Sequence, residues 1–233
     1  MTTQIDPERS LAELVQENPQ RARIFEERDL DFCCGGRQSL EDACSENDID
    51  LDELRDSLAS VDDELDPEET REFHSLTDLV DFIVDNHHAY LKDELGSLGR
   101  LVDKVARVHG DNHPELREVQ EEYDALAGEL PVHLSEEEQI LFPAVRHLEG
   151  HGISSNEGKA AREVLSGLEA DHDETAEHLE RIHDLTSGYQ VPDDACPSYR
   201  NMLARLEDLE QDIHMHVHRE NNVLFPKVRE RLA

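Results

Sequence analysis

Residues 216–226 of the 233-residue chain read HVHRENNVLFP, and within this stretch His216 precedes Glu220 by four residues. Four residues are about one helical turn, so both side chains lie on the same face of a helix. Apolar residues share that face, which predicts that it faces a core: Met202, Leu206, Leu209, Ile213 and Leu224. A buried glutamate beside a buried histidine is costly unless a partner compensates its charge, and a metal ion is such a partner.

Residues 133–143 repeat the pattern as HLSEEEQILFP, with His133 and Glu137 in the matching positions. Both copies follow the form H-x3-E-x2-[IV]-L-F-P, and 216 − 133 gives an offset of 83 residues. One histidine on an apolar stripe is readily explained as a hydrogen-bonded core residue, whereas two matched histidine–glutamate pairs are not. The repeat therefore favours a metal site over that alternative.

The chain is strongly acidic, with 57 Asp and Glu residues against 22 Lys and Arg residues and a formal charge of −35. Binding to nucleic acid or to an anionic membrane needs clustered cations, so both kinds of partner are excluded. Only four of the basic residues are lysines, and a carboxylate-rich, lysine-poor surface is typical of halophilic proteins. No apolar run is long enough to span a bilayer or to form a signal-peptide core, which predicts a cytoplasmic location.

Three regions are expected from the apolar periodicity and the helix breakers. Residues 1–60 form a small helical domain with a cysteine motif, residues 61–74 form an acidic linker, and residues 75–233 form four long helices. Short connections between those helices favour an all-α, up-down-up-down four-helix bundle. The predicted helices are A, about Ser75–Arg107; B, about Pro114–His147; C, about Glu157–Leu185; and D, about Ser198–Leu232. Three prolines within helices B and D are expected to kink or locally break them: Pro131, Pro143 and Pro226.

Each long helix carries a histidine on its apolar stripe, near the middle of the helix: His88, His133, His172 and His216. Mid-helix residues of an antiparallel bundle share one level, so the four histidines are expected to converge with Glu137 and Glu220. Two metal ions match this set better than one ion, because each glutamate can bridge the ions and each ion can take two histidines. Imidazole and carboxylate ligands without thiolate suit iron or manganese, and zinc also stays open.

Other polar residues near these positions are expected to lie outside the ligand set. His109 continues the stripe of helix A, but it follows His88 by 21 residues, which is about 31 Å along a straight helix. His87 is expected at the surface or behind a ligand. In the glutamate run at residues 136–138, only Glu137 has the helical phase of a ligand, and its neighbours are expected on a solvated face.

Cys33 and Cys34 are adjacent and are followed by two glycines, so they lie in a flexible turn. Adjacent cysteines form only a strained disulfide ring, and four cysteines in a chain of this length do not predict a disulfide framework. Arg37 is expected to favour a thiolate. Thiol redox chemistry and transient binding of a soft metal are both open, and the alternative is two small buried residues at a turn. Cys44 and Cys196 receive no role.

With these motifs the chain resembles the RIC (repair of iron centres) family, the iron–sulfur cluster repair di-iron proteins of the hemerythrin-like superfamily. Residues 31–40 (DFCCGGRQSL) look like the family's amino-terminal motif, residues 106–110 (ARVHG) look like its segment after the first long helix, and the two H-x3-E phrases are its most specific marks. The resemblance implies a hemerythrin-like bundle with two non-haem iron ions, oxo- or hydroxo-bridged, on six ligands: His88, His133, Glu137, His172, His216 and Glu220. The family pattern also includes a histidine matching His109, against which the distance along helix A argues.

The resemblance further implies a stress-response protein that repairs, or resupplies iron to, iron–sulfur clusters damaged by nitric oxide or oxidative stress. Cys33 and Cys34 are then expected to guide iron to the recipient or to supply thiols. An iron donor is favoured over a conventional enzyme, with damaged or apo iron–sulfur proteins as recipients. Nitric oxide or oxygen are expected as small ligands, and a homodimer is left open. The alternatives are a hemerythrin-like oxygen or nitric oxide binding or sensing protein, and a di-iron nitric oxide reductase.

Overall fold

The computed structural model describes residues 5–61, 73–150 and 154–232. Within these ranges the secondary structure is helical, apart from an isolated antiparallel bridge between Ser10 and Ser39. The all-α prediction is therefore confirmed. The predicted acidic linker falls mostly on residues 62–72, which lie outside the described residues. Contacts divide the chain into two compact units, residues 1–74 with 217–226 and residues 75–216 with 227–233.

Residues 5–61 form four short helices, and polar side chains cap the amino termini of three of them. Ser10 and Glu13 make reciprocal side-chain hydrogen bonds at the first helix, which is a capping box. Ser39 and Asp50 each accept a backbone N–H at the start of a later helix. The helices are α1 (Leu11–Glu17), α2 (Arg21–Glu26), α3 (Leu40–Glu46) and α4 (Leu51–Ser60). Their buried core consists of large apolar side chains: Leu11, Leu14, Phe25, Phe32, Leu40, Leu54 and Leu58.

The long helices A to D follow, and the apolar stripe predicted on helix D is buried. Three of them are interrupted by a short π-helical turn. Helix A consists of Leu76–Ile83, the π-turn Val84–His88 and Ala89–His109; helix B of Glu115–Glu136, the π-turn Glu137–Leu141 and Phe142–Gly150; helix C of Ser155–Leu185; and helix D of Pro197–His218, the π-turn Arg219–Leu224 and Phe225–Leu232. A buried hydrogen bond of 2.7 Å from the Tyr123 hydroxyl to the Leu95 carbonyl joins helices B and A.

Neighbouring long helices run antiparallel, which confirms the predicted up-down-up-down bundle. Polar contacts join the beginning of one helix to the end of the next one around the bundle. They are Leu76 with Glu149 (A and B), Glu118 with Arg181 (B and C), Arg162 with Leu232 (C and D), and Ser198 with Lys104 (D and A). Mid-helix residues of all four helices therefore lie at one level, as an antiparallel arrangement requires.

Two of the three π-turns in the described helices lie where the sequence predicted breaks, at Pro143 and Pro226. The N–H of the residue before each proline bonds to the carbonyl five residues back: Phe142 to Glu137, and Phe225 to Glu220. A proline has no N–H, and its ring would clash with the carbonyl four residues earlier in an α-helix. The wider π-turn avoids that conflict, so the helices continue through both prolines. Pro131 lies inside the α-helical part of helix B, which does not break there.

A carboxylate from the end of helix B caps the amino terminus of helix A. Leu76 and Thr77 donate their backbone N–H groups to Glu149 at 2.8 and 2.9 Å, and these amides have no partner within a helix. Burial raises the pKa of Glu149, but the two backbone donors, with Thr77 and Arg231 side chains, outweigh burial and hold the pKa at about 2. The bundle is thus stabilised by an ionised carboxylate at this cap.

Replacing Glu149 with glutamine is expected to lower the free energy of unfolding at pH 7 by about 1–2 kcal/mol, because the charged acceptor is lost. Since the folded pKa lies below the ordinary value of 4.5, the charge-dependent stabilisation is complete above that value and is lost as pH falls toward about 2. Urea unfolding followed by circular dichroism at several pH values measures the difference. Glu163, whose side chain is 68% exposed, provides the control variant Glu163→Gln. Equal unfolding free energies for the two variants would contradict this role.

Candidate metal centre

The four histidines predicted from the helix stripes come together in two pairs inside the bundle. His88 Nε2 lies 3.3 Å from His216 Nε2, which joins helices A and D. His133 Nε2 lies 3.1 Å from His172 Nε2, which joins helices B and C. The ring centroids of His133 and His172 lie 6.4 and 6.5 Å from that of His216, so the two pairs are neighbours.

Glu137 faces both histidine pairs with its two carboxylate oxygens. Its Oε2 lies 3.3 Å from His88 Nε2, and its Oε1 lies 3.5 Å from His133 Nε2. Glu220 follows His216 by one turn on the continuous helix D. Ligand atoms of these residues form two groups, each within 4.8 Å, and both groups contain Glu137 and Glu220: His88, Glu137, His216 and Glu220; and His133, Glu137, His172 and Glu220.

Burial raises the free-energy cost of negative charge in this cluster. Glu137 and Glu220 are both 0% exposed, and all four histidines are buried as well. Transferring a carboxylate out of water is expensive unless a positive charge compensates it. A site with two buried carboxylates at its centre is therefore suited to bind cations.

The spacing of the imidazole nitrogens also fits metal binding. Two nitrogens, each bonded to one ion at about 2.1 Å, lie about 3.0–3.4 Å apart for angles between a right angle and the tetrahedral angle. The two observed Nε2 separations of 3.3 and 3.1 Å fall within that range. Nitrogen and carboxylate oxygen donors without sulfur match a non-haem iron ion and also manganese or zinc.

Carboxylates behind two of the histidines orient their rings. His88 Nδ1 lies 2.7 Å from Glu138 Oε1, and His133 Nδ1 lies 3.3 Å from Asp171 Oδ2. When Nδ1 donates its proton outward to a carboxylate, the lone pair of Nε2 points inward, where a metal would bind. Burial raises the pKa of Glu138, but hydrogen bonds with Lys92 and His88 outweigh it and leave the pKa below its ordinary value.

The contact of Glu138 departs from the solvated face expected for the neighbours of Glu137. That expectation assumed an α-helix, in which consecutive residues are rotated by about 100°. Glu137 begins the π-turn Glu137–Leu141, which changes the angular spacing of the side chains. All three π-turns carry one of the predicted ligands, His88, Glu137 or Glu220.

His87 is buried behind the centre, which agrees with one of the two locations expected for it. Its Nδ1 lies 2.8 Å from Asp212 Oδ1 on helix D. Its ring is stacked on that of His216, with centroids 5.5 Å apart and an interplanar angle of 11°. His87 thus fixes the orientation of the His216 ring, a contact that the sequence pattern alone did not predict.

His109 belongs to neither ligand group, and it lies against a different side chain. Its Nε2 is 3.2 Å from Cys196 Sγ, and its ring packs on Tyr199 with centroids 5.4 Å apart. This contact gives Cys196, to which the sequence assigned no role, a hydrogen-bonding partner. Helix A continues from His88 to His109 without a break. His109 is therefore far from His88 along the helix, as the sequence predicted.

The cysteine turn is organised around Asp31. The Asp31 carboxylate accepts the backbone N–H groups of Cys33, Cys34 and Gly35 at 2.9, 2.8 and 2.6 Å. Cys33 is buried and Cys34 is partly exposed. The Asn222 side chain donates to the Cys33 carbonyl at 2.8 Å, which holds the turn within the unit that contains both residues.

The expectation that a nearby arginine favours a thiolate is wrong for Cys33. A hydrogen bond with Cys34, burial and the charge of Asp31 together raise the pKa of the Cys33 thiol well above its ordinary value. The reason is that the Cys33 thiol faces a carboxylate, with its sulfur 3.2 Å from Asp31 Oδ1.

Comparison with known proteins shows similarity along nearly the whole chain. Residues 79–228 match the hemerythrin HHE cation binding domain, and residues 7–62 match ScdA_N, a domain of unknown function (DUF542). The chain is 34% identical over 218 residues to the iron-sulfur cluster repair protein YtfE of Yersinia pseudotuberculosis serotype IB, covering 94% of this chain and 95% of that protein. It is 33% identical over 227 residues to the iron-sulfur cluster repair protein ScdA of Staphylococcus epidermidis strain ATCC 35984, covering 96% and 99%.

The two domain matches agree with the two motifs found in the sequence. The hemerythrin HHE match includes all six clustered side chains from His88 to Glu220, and the ScdA_N match includes Cys33 and Cys34. Among the described residues, no helix combines the length and apolar character needed to cross a membrane. The resemblance drawn from the sequence is confirmed: the chain belongs to the iron–sulfur cluster repair family of hemerythrin-like cation-binding proteins.

Proposed function

We propose that the protein holds two non-haem iron ions and donates iron to iron–sulfur clusters damaged by nitric oxide or oxidative stress. The observation that carries this proposal is the pair of buried ligand groups that share Glu137 and Glu220. One iron would take the histidine pair from helices A and D, and the other the pair from helices B and C. The names of the Yersinia and Staphylococcus relatives support repair of iron–sulfur clusters as the purpose of the centre.

The donor set suits iron that is held and later released. Each proposed iron has two imidazoles of its own, whereas the two carboxylates are divided between both ions. Neutral imidazoles stabilise a highly charged ion less than carboxylates do, so retention depends mainly on Glu137 and Glu220. Iron in this proposal is the cargo that the bundle delivers, and the protein is a donor rather than a conventional enzyme.

The proposed recipients are damaged or apo iron–sulfur proteins in the cytoplasm. The chain carries a formal charge of −35, and this negative charge disfavours binding to nucleic acid or to an anionic membrane. Cys33 and Cys34 are proposed to act at the hand-over step, because they supply the sulfur ligands that the bundle centre lacks. Six protein ligands for two irons also leave coordination positions at which oxygen or nitric oxide could bind as small ligands. Pairing of two copies in a homodimer is compatible with iron donation.

Replacing Cys33 and Cys34 with alanine is expected to lower repair several-fold while leaving the iron content of the bundle unchanged. The six proposed iron ligands are nitrogen and oxygen donors, so loss of the thiols does not remove an iron ligand. The measurement restores a nitric-oxide-damaged [4Fe–4S] enzyme with purified iron-loaded protein and follows the recovered enzyme activity. Cys44→Ala with Cys196→Ala serves as a control that removes two thiols outside the motif.

Two results of this experiment would contradict parts of the proposal. Loss of iron from the Cys33→Ala, Cys34→Ala variant would show that the cysteines belong to iron storage. Failure of the unmodified iron-loaded protein to restore the enzyme, together with reversible binding of oxygen or nitric oxide, would instead favour the alternative of a binding or sensing protein.

A further inference from the structure

We propose that Asp31, Cys33 and Cys34 form a second cation site, for a single soft or borderline divalent ion bound by two sulfurs and one carboxylate oxygen. Their ligand atoms all lie within 4.8 Å of one another. This site lies in the amino-terminal helical region and shares no residue with the two groups in the bundle. Its use as a landing site for ferrous iron in transit rests on the proposed donor function, whereas its capacity to bind a cation does not.

The distance between sulfur and oxygen is already that of a bound cation. Metal–sulfur and metal–oxygen bonds of about 2.3 and 2.1 Å at a right angle place the two ligand atoms about 3.1 Å apart. Cys33 Sγ lies 3.2 Å from Asp31 Oδ1, with the thiol proton between them. A divalent ion would take the place of that proton, which would leave to solvent, and the Cys33 sulfur would not have to move.

The carboxylate is held in position by the backbone. Cys33 and Cys34 N–H groups bond to Asp31 Oδ1, and the Gly35 N–H bonds to Oδ2. A Cβ on Gly35 would lie 3.0 Å from Asp31 Oδ2, and a Cβ on Gly36 would lie 2.1 Å from the Phe32 carbonyl oxygen. The glycines following the cysteines therefore let the chain close tightly around the carboxylate.

The electrostatics favour a metal ligand over a redox thiol. A reactive thiol needs a stabilised thiolate, which is found beside cations and helix amino termini. Cys33 instead faces a carboxylate, with its sulfur 3.2 Å from Asp31 Oδ1. Two thiols and a carboxylate that converge would be strongly repulsive when ionised, and a divalent cation removes that repulsion by binding all three.

The site is accessible on one side and anchored on the other. Cys34 is partly exposed, and Asp31 lies at the surface. Asn221 Nδ2 approaches Cys34 Sγ at 3.9 Å, and Asn222 Nδ2 donates to the Cys33 carbonyl at 2.8 Å. An amide donor beside a sulfur stabilises negative charge on it, and the open side allows an ion to enter and leave.

Cadmium titration of the full-length, iron-loaded protein tests the site, because the sulfur-to-cadmium charge-transfer absorption arises only from bound thiolate. The experiment uses a non-thiol reductant and follows absorption, proton release and bundle iron content together. We expect one cadmium ion per chain with this absorption and release of thiol protons. Cys33→Ser with Cys34→Ser should abolish the absorption, and Asp31→Asn should weaken binding about tenfold or more.

Controls separate this site from the other thiols and from folding. Cys44→Ser with Cys196→Ser should leave the absorption unchanged, and Cys34→Ser alone changes a partly exposed side chain and should still lower it. An unchanged absorption in the Cys33→Ser, Cys34→Ser variant would overturn the cation site. Cadmium binding by the unmodified protein, combined with normal repair by the Cys33→Ser, Cys34→Ser variant, would overturn the landing role and leave iron donation by the bundle in place.

Discussion

Replacing Glu137 with glutamine is expected to remove both of the proposed iron ions, not one. The affinity for each ion is expected to fall by more than about 100-fold, whereas loss of a residue that only supports a ligand typically costs about 10–100-fold. Glu137 is a member of both ligand groups, and its two oxygens face His88 and His133 separately. Glutamine keeps the size of the side chain but provides no negative charge. Iron analysis after gel filtration, together with Mössbauer spectroscopy of the bound fraction, measures the loss.

The neighbouring glutamate gives a matched control for this substitution. Glu136 precedes Glu137 on helix B and is exposed, so Glu136→Gln changes the same net charge without touching the centre. His172→Ala gives a second comparison, since His172 belongs to only one group and its loss should leave one iron behind. Retention of one full equivalent of iron by Glu137→Gln would show that the carboxylate is not shared.

The candidate ligands could be predicted from sequence because their signal is local and repeated. A spacing of four residues places His133 with Glu137, and His216 with Glu220, on one face of a helix. The pattern occurs twice in the chain, which argues against a chance match. The partners His88 and His172 followed from the level that mid-helix residues share in an antiparallel bundle. Each of these steps uses helix geometry and needs no knowledge of side-chain packing.

The contacts behind the ligands could not be predicted in the same way. Asp171 and Asp212 reach His133 and His87 from other helices, so their roles depend on how the helices are rotated against one another. Glu138 reaches His88 from a π-turn, where the angular spacing of an α-helix does not apply. The prolines six residues beyond each glutamate were the signal for that irregularity, but they predicted a break and not a π-turn.

The cysteine turn shows a similar limit. The adjacent cysteines and glycines predicted a turn, and Arg37 was the only charged neighbour in sequence that favoured a thiolate. Asp31 dominates instead, because the turn folds its carboxylate back onto the following N–H groups. A short-range hydrogen bond between a side chain and the backbone thus reverses the electrostatic expectation.

Reduction of the iron-loaded protein is expected to speed iron loss to a chelator about tenfold or more, which corresponds to at least about 1.4 kcal/mol in the barrier to release. Glu137 and Glu220 are the charged members of the ligand groups and supply two negative charges. Two ferric ions carry six positive charges and two ferrous ions carry four, so reduction weakens the attraction to these buried carboxylates. The neutral imidazoles do not compensate for that loss.

The experiment compares iron transfer to a ferrous chelator and to a ferric chelator from the reduced and the oxidised protein, so that chelator preference is separated from release. Zinc-loaded protein is the control, because zinc has no redox chemistry and its release should not respond to the reductant. Equal rates of iron loss before and after reduction would contradict reductive release. In that case donation would have to depend on contact with the recipient protein.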